Sequence, residues 1–345
     1  MTRSSISLAV LGMAVAGLLV LAPSVFFYVF AGILFAVFLR SGGGWIARRT
    51  GLAHGWGIGI FSFLFVAFFA AAGLAFAPAV TEQATEFARQ IPEALGTVRN
   101  WLEQYPWGQR LLDRITPEAL LSAEGGSAAT AALGGTFGAL GNLVIVLFIG
   151  LYGAVDPGTY RAGLRALVAP PLRPRADEVL DELGDVLSSW LGAQFIAMAV
   201  VGVLTWLGLW ALSIPLALLL GLMAAILAFI PNIGPVIAAV PGLLLAIPEG
   251  ATTVALVLGV YVAVQTLESY VVTPLLQQER VSLPPAFVIA MQVLFGVLFG
   301  LIGLALATPL AAVAMTLARE VYVKDYLEAG PGPSDAGADP SRRTM

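Results

Sequence analysis

The sequence predicts an all-α integral membrane protein with about eight transmembrane helices, including interrupted or re-entrant helical hairpins, and with an amphipathic extracytoplasmic helical segment. The first observation is composition: of 345 residues, 59% are hydrophobic and 11% charged, and the mean hydropathy is +0.91. Soluble domains carry about 25% charged residues. The second is a run of 63 residues, 186–248, without a charged side chain. The third is a proline-rich break within that run, because proline cannot propagate a regular helix.

Six uncharged runs are long enough to supply the transmembrane segments. A helix needs about 20 apolar residues to cross about 30 Å of hydrocarbon. Transmembrane strands would instead alternate polar and apolar residues over about ten positions, and these runs show no such alternation. The runs are 4–39, 50–81, 125–155, 186–248, 250–267 and 281–318.

The N-terminal region, 1–55, is predicted to be a transmembrane helix pair followed by a basic cytoplasmic loop. The apolar stretches 6–21 and 25–39 form a tight, uncleaved pair that turns at 22–24, and one long kinked helix is the alternative. Short cytoplasmic loops are rich in Lys and Arg, which assigns both sides of the pair to the cytoplasm. The basic residues that flank it are Arg3, Arg40, Arg48 and Arg49.

The region 56–155 is predicted to hold transmembrane helices on either side of an extracytoplasmic amphipathic segment, 79–137. Apolar residues recur in this segment every three or four positions, which indicates an amphipathic helix, and Pro92 is expected to open a second helix. The segment is either an arm that lies on the membrane or on a neighbouring subunit, or a cap that gates a substrate. The recurring residues are Phe87, Ile91, Leu95, Val98, Leu102 and Tyr105.

The region 156–189 is predicted to form a cytoplasmic amphipathic helix that starts near Ala176. This helix is expected to continue outward as a span over 190–212, which carries Gln194. Its acidic residues form either a solvated face, since acids suit the first turn of a helix, or an acidic vestibule that attracts cations. They are Asp177, Glu178, Asp181, Glu182 and Asp185.

The region 190–322 is predicted to be a transport core, because two apolar stretches within it are interrupted in a similar way. The stretches 214–248 and 283–317 are each about 35 residues long and are broken near the middle, and paired interrupted segments are a sequence pointer to a transport site. Whether each stretch spans the bilayer or re-enters it stays open. The residues of the predicted breaks are Pro231, Asn232, Gly234, Pro235, Gly300, Gly303 and Pro309.

One helix between these stretches carries an acid in an apolar setting. Gln265 and Glu268 share a helical face, and Pro274, which follows them, is a further candidate for a backbone break. A carboxylate at a helix centre costs about 2.5–3.5 kcal/mol on insertion scales and usually faces the protein interior. We therefore expect Glu268 to carry a coupling proton or cation, with Gln265, Asn232 and Gln194 contributing to the solute site. The alternative is that Glu268 reaches the headgroups.

The residue inventory indicates a protein that is not an enzyme, with no catalytic residue, cofactor or metal site. The chain has no cysteine, one histidine (His54) and one lysine (Lys324), so nucleophile–base pairs are nearly excluded. No glycine loop followed by lysine occurs that could bind phosphate. No basic patch with interleaved aromatic residues indicates nucleic-acid binding. The cytoplasmic tail, 323–345, is predicted to be disordered because it is rich in proline, glycine and charge.

Six motifs occur in an order that resembles the autoinducer-2 exporter family of prokaryotic membrane permeases. The resemblance covers about 56–322 and is strongest over 187–322. The motifs are PLALLLG (215–221), IPNIGP (230–235), ESYVVTP (268–274), VSLPP (281–285), GLIG (300–303) and ATP (307–309).

The resemblance implies a polytopic permease of the prokaryotic inner membrane, with about eight spans and a homo-oligomeric assembly. The family takes its name from export of the furanone-type quorum signal autoinducer-2, and other members are linked to sodium/proton exchange. The family therefore implies an architecture more firmly than a substrate.

Three functions follow as hypotheses. The first is a secondary transporter that exports a small polar or amphipathic solute, driven by an ion gradient. The second is a sodium(lithium)/proton antiporter, and the third is a membrane scaffold without transport activity. The expected partners are the lipid bilayer, a small solute, and protons or monovalent cations. Both termini are expected in the cytoplasm.

Overall fold

A computed structural model describes residues 12–13, 16–106, 109–110, 127–276 and 284–327. All regular elements within these ranges are helical, which confirms the predicted all-α class. Five of the described helices are long and apolar enough to cross a membrane, or six if one bent pair is counted as a span. The predicted number of about eight is therefore not confirmed.

Nine helices make up the described fold, and short turns connect most of them. They are α1 (Pro23–Thr50), α2 (His54–Glu103), α3 (Ser127–Val155), α4 (Pro157–Ala166), α5 (Arg173–Ala211), α6 (Ala217–Leu227), α7 (Ile233–Ala246), α8 (Ala251–Leu267, continued by a π-helical turn Glu268–Val272 and by Thr273–Leu276) and α9 (Pro285–Leu317, continued by a π-helical stretch Ala318–Leu327).

The N-terminal region is helical on both sides of the predicted turn at 22–24, and its basic loop is shorter than predicted. Residues 16–21 are helical, Ala22 leaves the helical conformation (φ −142°, ψ 62°), and α1 then runs without interruption to Thr50. The predicted loop is thus reduced to 51–53. Arg40 lies within α1, and its guanidinium donates to the carbonyl oxygen of Ala154 at 3.0 Å, which satisfies a carbonyl at the end of α3.

α2 is a single helix of 50 residues with two prolines inside it, Pro78 and Pro92. The prediction that Pro92 opens a second helix is wrong. A proline in a helix removes one hydrogen bond, and the hydrogen bonds of the turns on either side keep this helix continuous. At 1.5 Å per residue α2 is about 75 Å long, so it extends well beyond about 30 Å of hydrocarbon. The side of the membrane that its distal half occupies stays a prediction.

The distal half of α2 contacts the helices that form the core. Gln83 accepts a hydrogen bond from the backbone N–H of Leu219 at 2.9 Å, in the first turn of α6. Val80 and Phe87 pack against the cluster of apolar side chains shared by α5, α6, α7 and α8. The first half of the predicted amphipathic segment therefore packs against the core. Residues 107–108 and 111–126 of this segment lie outside the described residues.

α5 is one helix of 39 residues, about 58 Å long. It confirms that the amphipathic helix continues as an apolar span, although it begins at Arg173 rather than near Ala176. Arginines from α4 pair with its acidic face: the Asp181 carboxylate lies 2.6 Å from Arg161, and the Asp177 carboxylate 3.6 Å from Arg165. These two carboxylates are therefore partly neutralised, which disfavours an acidic vestibule.

α6 and α7 form a helical hairpin, called hairpin A (217–246). Its arms have 11 and 14 residues, about 16 and 21 Å, so neither arm alone crosses about 30 Å of hydrocarbon. The predicted interruption is confirmed, since the chain leaves the helical path between Leu227 and Ile233. Close packing of Gly221 on Gly202 holds the first arm against α5: an added Cβ on Gly221 would lie 2.9 Å from the Gly202 carbonyl oxygen.

α9 also folds back on itself and forms hairpin B (285–317), which turns at Gly300 (φ 65°, ψ −148°). Gln292 and Thr308 are 16 residues apart, about 24 Å in a straight helix, yet their side chains lie 3.3 Å apart. By length and composition, α9 counts as one span of 40 residues through Lys324. The fold-back divides it into a first arm of about 22 Å and a longer second arm.

The two hairpins enter the helical bundle from opposite ends and meet beside the middle of α5. The open end of hairpin A follows the last residue of α5, whereas the second arm of hairpin B leads to Glu320, whose carboxylate lies 3.0 Å from Arg175 in the first turn of α5. The tip of hairpin B packs on α1, where Phe299 and Phe27 have ring centroids 5.0 Å apart. The predicted tail from 328 onward and the turn at 281–283 lie outside the described residues.

Candidate functional site

A cavity of about 320 Å³ lies where the hairpins meet α5 and α8. All four polar residues expected to form the site line this cavity: Gln194, Asn232, Gln265 and Glu268. The other lining residues are Trp190, Ala193, Ala197, Val201, Ala228, Pro231, Pro235, Ser269, Thr273, Pro285, Val288 and Thr308. Among them, Glu268 is the only residue with a charged side chain.

The break in hairpin A forms one wall of the cavity through an unusual turn at Asn232. Asn232 has φ 66° and ψ −47°, and the Ile233 N–H donates to the Pro231 carbonyl oxygen at 2.8 Å. This hydrogen bond spans two residues and defines a γ-turn of the rare, strained type with positive φ. The Asn232 side chain is exposed and makes no hydrogen bond to any residue the structure describes.

Gly234 allows the chain to leave this turn in close contact with α6. A Cβ at this position would overlap the carbonyl oxygen of Leu227 and lie 2.6 Å from its carbonyl carbon. The Gly234 N–H donates to the Ile230 carbonyl at 2.9 Å, which closes the break. Pro235 lies in the first turn of α7 beside the cavity. The two prolines and Gly234 therefore shape this wall of the cavity.

Gln194 satisfies a backbone group that the break leaves without a helical partner. Its side chain is 7% exposed, and Nε2 donates to the Ala228 carbonyl oxygen at 2.7 Å. Unpaired carbonyls are costly in an apolar environment. Gln194 therefore stabilises the end of α6 from α5 and presents the rest of its amide to the cavity.

Glu268 accepts hydrogen bonds from three neutral side chains. Gln265 Nε2 lies 2.9 Å from Oε2, Ser269 Oγ 3.1 Å from Oε2, and Thr273 Oγ1 2.6 Å from Oε1. The contact with Thr273 joins residues five apart, which is the spacing of the π-helical turn Glu268–Val272. No Lys or Arg among the described residues forms a salt bridge with this half-buried carboxylate.

Pro274 and Pro309 do not break their helices, so their predicted role as breaks is wrong. Helical structure continues through both. The irregularity near Pro274 is the preceding π-helical turn, because proline lacks an N–H and its ring crowds the residues before it. Pro309 is buried within hairpin B, and packed neighbouring segments help membrane helices to tolerate proline.

Gly300 and Gly303 shape hairpin B at a distance from the cavity lining. Gly300 supplies the turn at the tip, with a backbone conformation essentially restricted to glycine. A Cβ on Gly303 would overlap the Phe295 carbonyl oxygen and lie 2.7 Å from Phe299 Cβ. Both residues therefore allow the arms of the hairpin to meet, and neither lies against the space that a ligand would occupy.

The sequence reasoning missed two polar residues of hairpin B, Gln292 and Thr308. Gln292 is fully buried and donates from Nε2 to the Pro231 carbonyl at 2.8 Å, while Thr308 is 4% exposed. A signal was present, since Gln292 is the only polar side chain in the arm before Gly300. An isolated amide in an apolar segment indicates a specific hydrogen bond between helices.

The arrangement suits reversible binding of a small, uncharged polar molecule. Amide, hydroxyl and carboxylate groups supply both donors and acceptors, while Trp190, Val201 and Val288 supply apolar contacts. Ligand cavities of about 300 Å³ are at the small end of the usual range. The carboxylate of Glu268 is hydrogen-bonded to neutral donors.

Comparison with known proteins gives one family and several relatives. The model of the family described as AI-2E family transporter matches residues 7–322. The chain is 28% identical over 141 residues to Putative transport protein YrrI of Bacillus subtilis, covering 41% of this chain and 40% of the relative. It is 26% identical over 188 residues to Putative transport protein YueF of the same organism, covering 53% and 51%.

A further relative carries a more specific description. The chain is 27% identical over 172 residues to AI-2 transport protein TqsA of Escherichia coli, covering 50% of this chain and 48% of the relative. In these alignments the chain spans about half the length of the curated relatives it matches, or less.

Proposed function

Because the chain belongs to the AI-2E family of transporters, we propose that it is a secondary transporter that exports a small polar or amphipathic solute, driven by an ion gradient. The observation that carries this proposal is the cavity between the break of hairpin A and the arms of hairpin B, with Glu268 as the single charged residue among the described lining residues. Discontinuous helices that meet within a bundle present backbone groups and polar side chains to a solute.

The solute in this proposal is small and rich in hydroxyl or carbonyl groups. Asn232 offers an amide without a hydrogen-bond partner among the described residues, and Glu268, Ser269 and Thr273 supply acceptors and hydroxyls to the same cavity. Autoinducer-2 is the first candidate, because its furanone-type chemistry fits these groups and the Escherichia coli relative is described as an AI-2 transport protein.

Glu268 is the coupling residue in this mechanism. Its carboxylate receives three hydrogen bonds from neutral groups and no salt bridge from a described residue. A proton or monovalent cation on this carboxylate changes the charge of the cavity wall. Solute binding and ion binding are then linked through shared contacts with Gln265 and Ser269, and an ion gradient can drive solute movement.

Reconstituted liposomes test the proposal directly. The full chain is incorporated with a pH-sensitive dye inside, and sodium, lithium or potassium is added outside; labelled autoinducer-2 efflux is followed in parallel. We expect solute flux that responds to the ion gradient and that Glu268→Gln abolishes. Glu249→Gln is the matched control, because Glu249 is an exposed acid beyond the other end of α8, and it should leave flux unchanged.

The outcomes separate the solute exporter from its main alternative. Cation-triggered proton movement that is lost in Glu268→Gln, without solute flux, identifies a sodium(lithium)/proton antiporter. Solute flux that persists unchanged in Glu268→Gln refutes the coupling role. The absence of both fluxes favours the scaffold without transport activity. The arginine partners of Asp177 and Asp181 leave Glu268 as the stronger candidate for an ion site.

In this proposal the transporter is a homo-oligomer of the prokaryotic inner membrane, with both termini in the cytoplasm. The apolar window of α2 has no buried residue, so lipid or a second copy must cover it. Arg48 and Arg49 at the end of α1 favour a cytoplasmic position for the α1–α2 turn. Native mass measurement from lipid discs and reporter fusions at each terminus test these assignments.

A further inference from the structure

We propose that Gln292 is a positioning residue that holds the strained turn at Asn232 and joins the break of hairpin A to the arms of hairpin B beside the cavity. The inference rests on the proposed function, since it assigns a role in shaping the same cavity. Gln292 does not line the cavity, and it acts through the Pro231 carbonyl oxygen behind the turn.

The turn at Asn232 requires support from outside its own segment. A γ-turn with φ near +66° is strained for any residue with a side chain, although Asn tolerates positive φ better than most. Such conformations persist only where the surrounding structure over-determines them, and they occur often at ligand sites. The feature that maintains this turn is therefore of functional interest.

The supporting hydrogen bond is made to the Pro231 carbonyl oxygen. This oxygen accepts the Ile233 N–H at 2.8 Å, which closes the turn, and Gln292 Nε2 at 2.8 Å from hairpin B. The same Nε2 lies 3.3 Å from Thr308 Oγ1 on the second arm of hairpin B. One buried amide thus links the break of hairpin A to both arms of hairpin B.

The Oε1 atom of Gln292 indicates that filling space is not the reason why a glutamine occupies this position. Oε1 is buried and has no hydrogen-bond partner among the described residues. Buried polar atoms are rarely left unpaired, and a methionine could fill the same space without an unpaired acceptor. An unpaired Oε1 at this position lowers the stability of the fold. The presence of an amide here therefore indicates that its donor group, Nε2, has a role.

The absence of cysteine in the natural chain provides a reporter that does not depend on transport. Ala193→Cys places a single thiol in the cavity wall, where the native side chain is 8% exposed, and Thr252→Cys places one on the exposed first turn of α8. The full chain is reconstituted in liposomes, and the rate of reaction with N-ethylmaleimide is measured for each thiol.

Gln292→Met should increase the labelling rate of the cavity thiol about five-fold, because one hydrogen bond to a buried carbonyl is lost. The rate at the α8 thiol should not change. Asn232→Gly and Asn232→Ala form a matched pair, since both remove the amide and only glycine relieves the strain at positive φ. In the Asn232→Gly background, Gln292→Met should therefore change the labelling rate of the cavity thiol by less than about two-fold. In the Asn232→Ala background it should keep its full effect.

A second donor to the same break serves as the control for specificity. Gln194 donates to the Ala228 carbonyl on the α6 side of the break. An effect of Gln194→Met on labelling should persist in the Asn232→Gly background, because this hydrogen bond does not hold the γ-turn.

Each outcome decides the proposal. Unchanged labelling in Gln292→Met, or an effect of equal size in the Asn232→Gly background, shows that Gln292 does not hold the turn. If Gln292→Met does not fold, then Asn232→Gly with Gln292→Met should fold, and failure of both overturns the proposal. Solute flux is measured on the same variants. If the labelling rates change as expected but no variant and no native protein shows solute flux, the proposed transport function is refuted. The positioning role of Gln292 is supported in that case.

Discussion

Gly234→Ala tests the tight connection between the arms of hairpin A. An added Cβ would lie 2.6 Å from the carbonyl carbon of Leu227, whereas carbon atoms in favourable contact are about 3.5 Å apart or more. The two backbone segments must therefore separate by at least about 0.9 Å, and the overlap with the Leu227 carbonyl oxygen requires a larger shift. No rotamer change can relieve this overlap, because the backbone fixes the position of the added Cβ and its contact partners are main-chain atoms of Leu227.

The separation carries an energetic cost that can be estimated from the local contacts. Overpacking typically costs about 1–3 kcal/mol, and weakening the hydrogen bond from Gly234 to Ile230 adds about 1 kcal/mol. A total of about 3 kcal/mol is a large part of the stability of a typical protein, about 5–15 kcal/mol. The variant should therefore unfold at a clearly lower temperature, with a disturbed cavity wall.

Thermal unfolding in detergent, followed by intrinsic fluorescence, measures the effect, and solute flux in liposomes measures the consequence for the site. Gly59→Ala is the matched control, because Gly59 lies in α2 with no atom within 4 Å of an added Cβ. Alanine there should be neutral or stabilising by about 1 kcal/mol. A Gly234→Ala variant as stable as the native chain would refute the close approach of Gly234 and Leu227.

Two further substitutions probe contacts between distant segments by the same unfolding measurement. Gln194→Leu should destabilise the protein by about 1–3 kcal/mol, because the Ala228 carbonyl loses its partner at 2.7 Å. An effect as small as that of Gln104→Leu, at an exposed position at the end of α2, would contradict this. Arg175→Gln should lower the free energy of unfolding by about 1 kcal/mol, because the buried Glu320 carboxylate then keeps Lys324 as its remaining basic partner. The effect is small because water reaches both basic side chains and screens their charge. Combining it with Glu320→Gln should cost less than the sum of the single changes, and strict additivity would show that the pair does not interact.

Local sequence patterns correctly predicted the helical class, the interruption in each hairpin and the continuity of α5 from its amphipathic part into its span. These features follow from composition and from backbone chemistry at single positions, where proline and glycine remove a donor or permit an unusual conformation. The same reasoning failed at Pro92, Pro274 and Pro309. Proline weakens a helix without always ending it, and the contacts of the neighbouring turns decide the outcome.

The sequence by itself determined that this is a helical membrane protein and named four of the polar side chains that line the cavity. Membrane helices leave few positions for polar groups, so each amide or acid in an apolar run stands out. Only the tertiary structure decided how these groups meet. Gln292 and Pro231 are 61 residues apart, and the fold-back at Gly300 brings Thr308 to the same point. Such contacts depend on the packing of whole helices, because helical periodicity relates only residues within a few turns of one another.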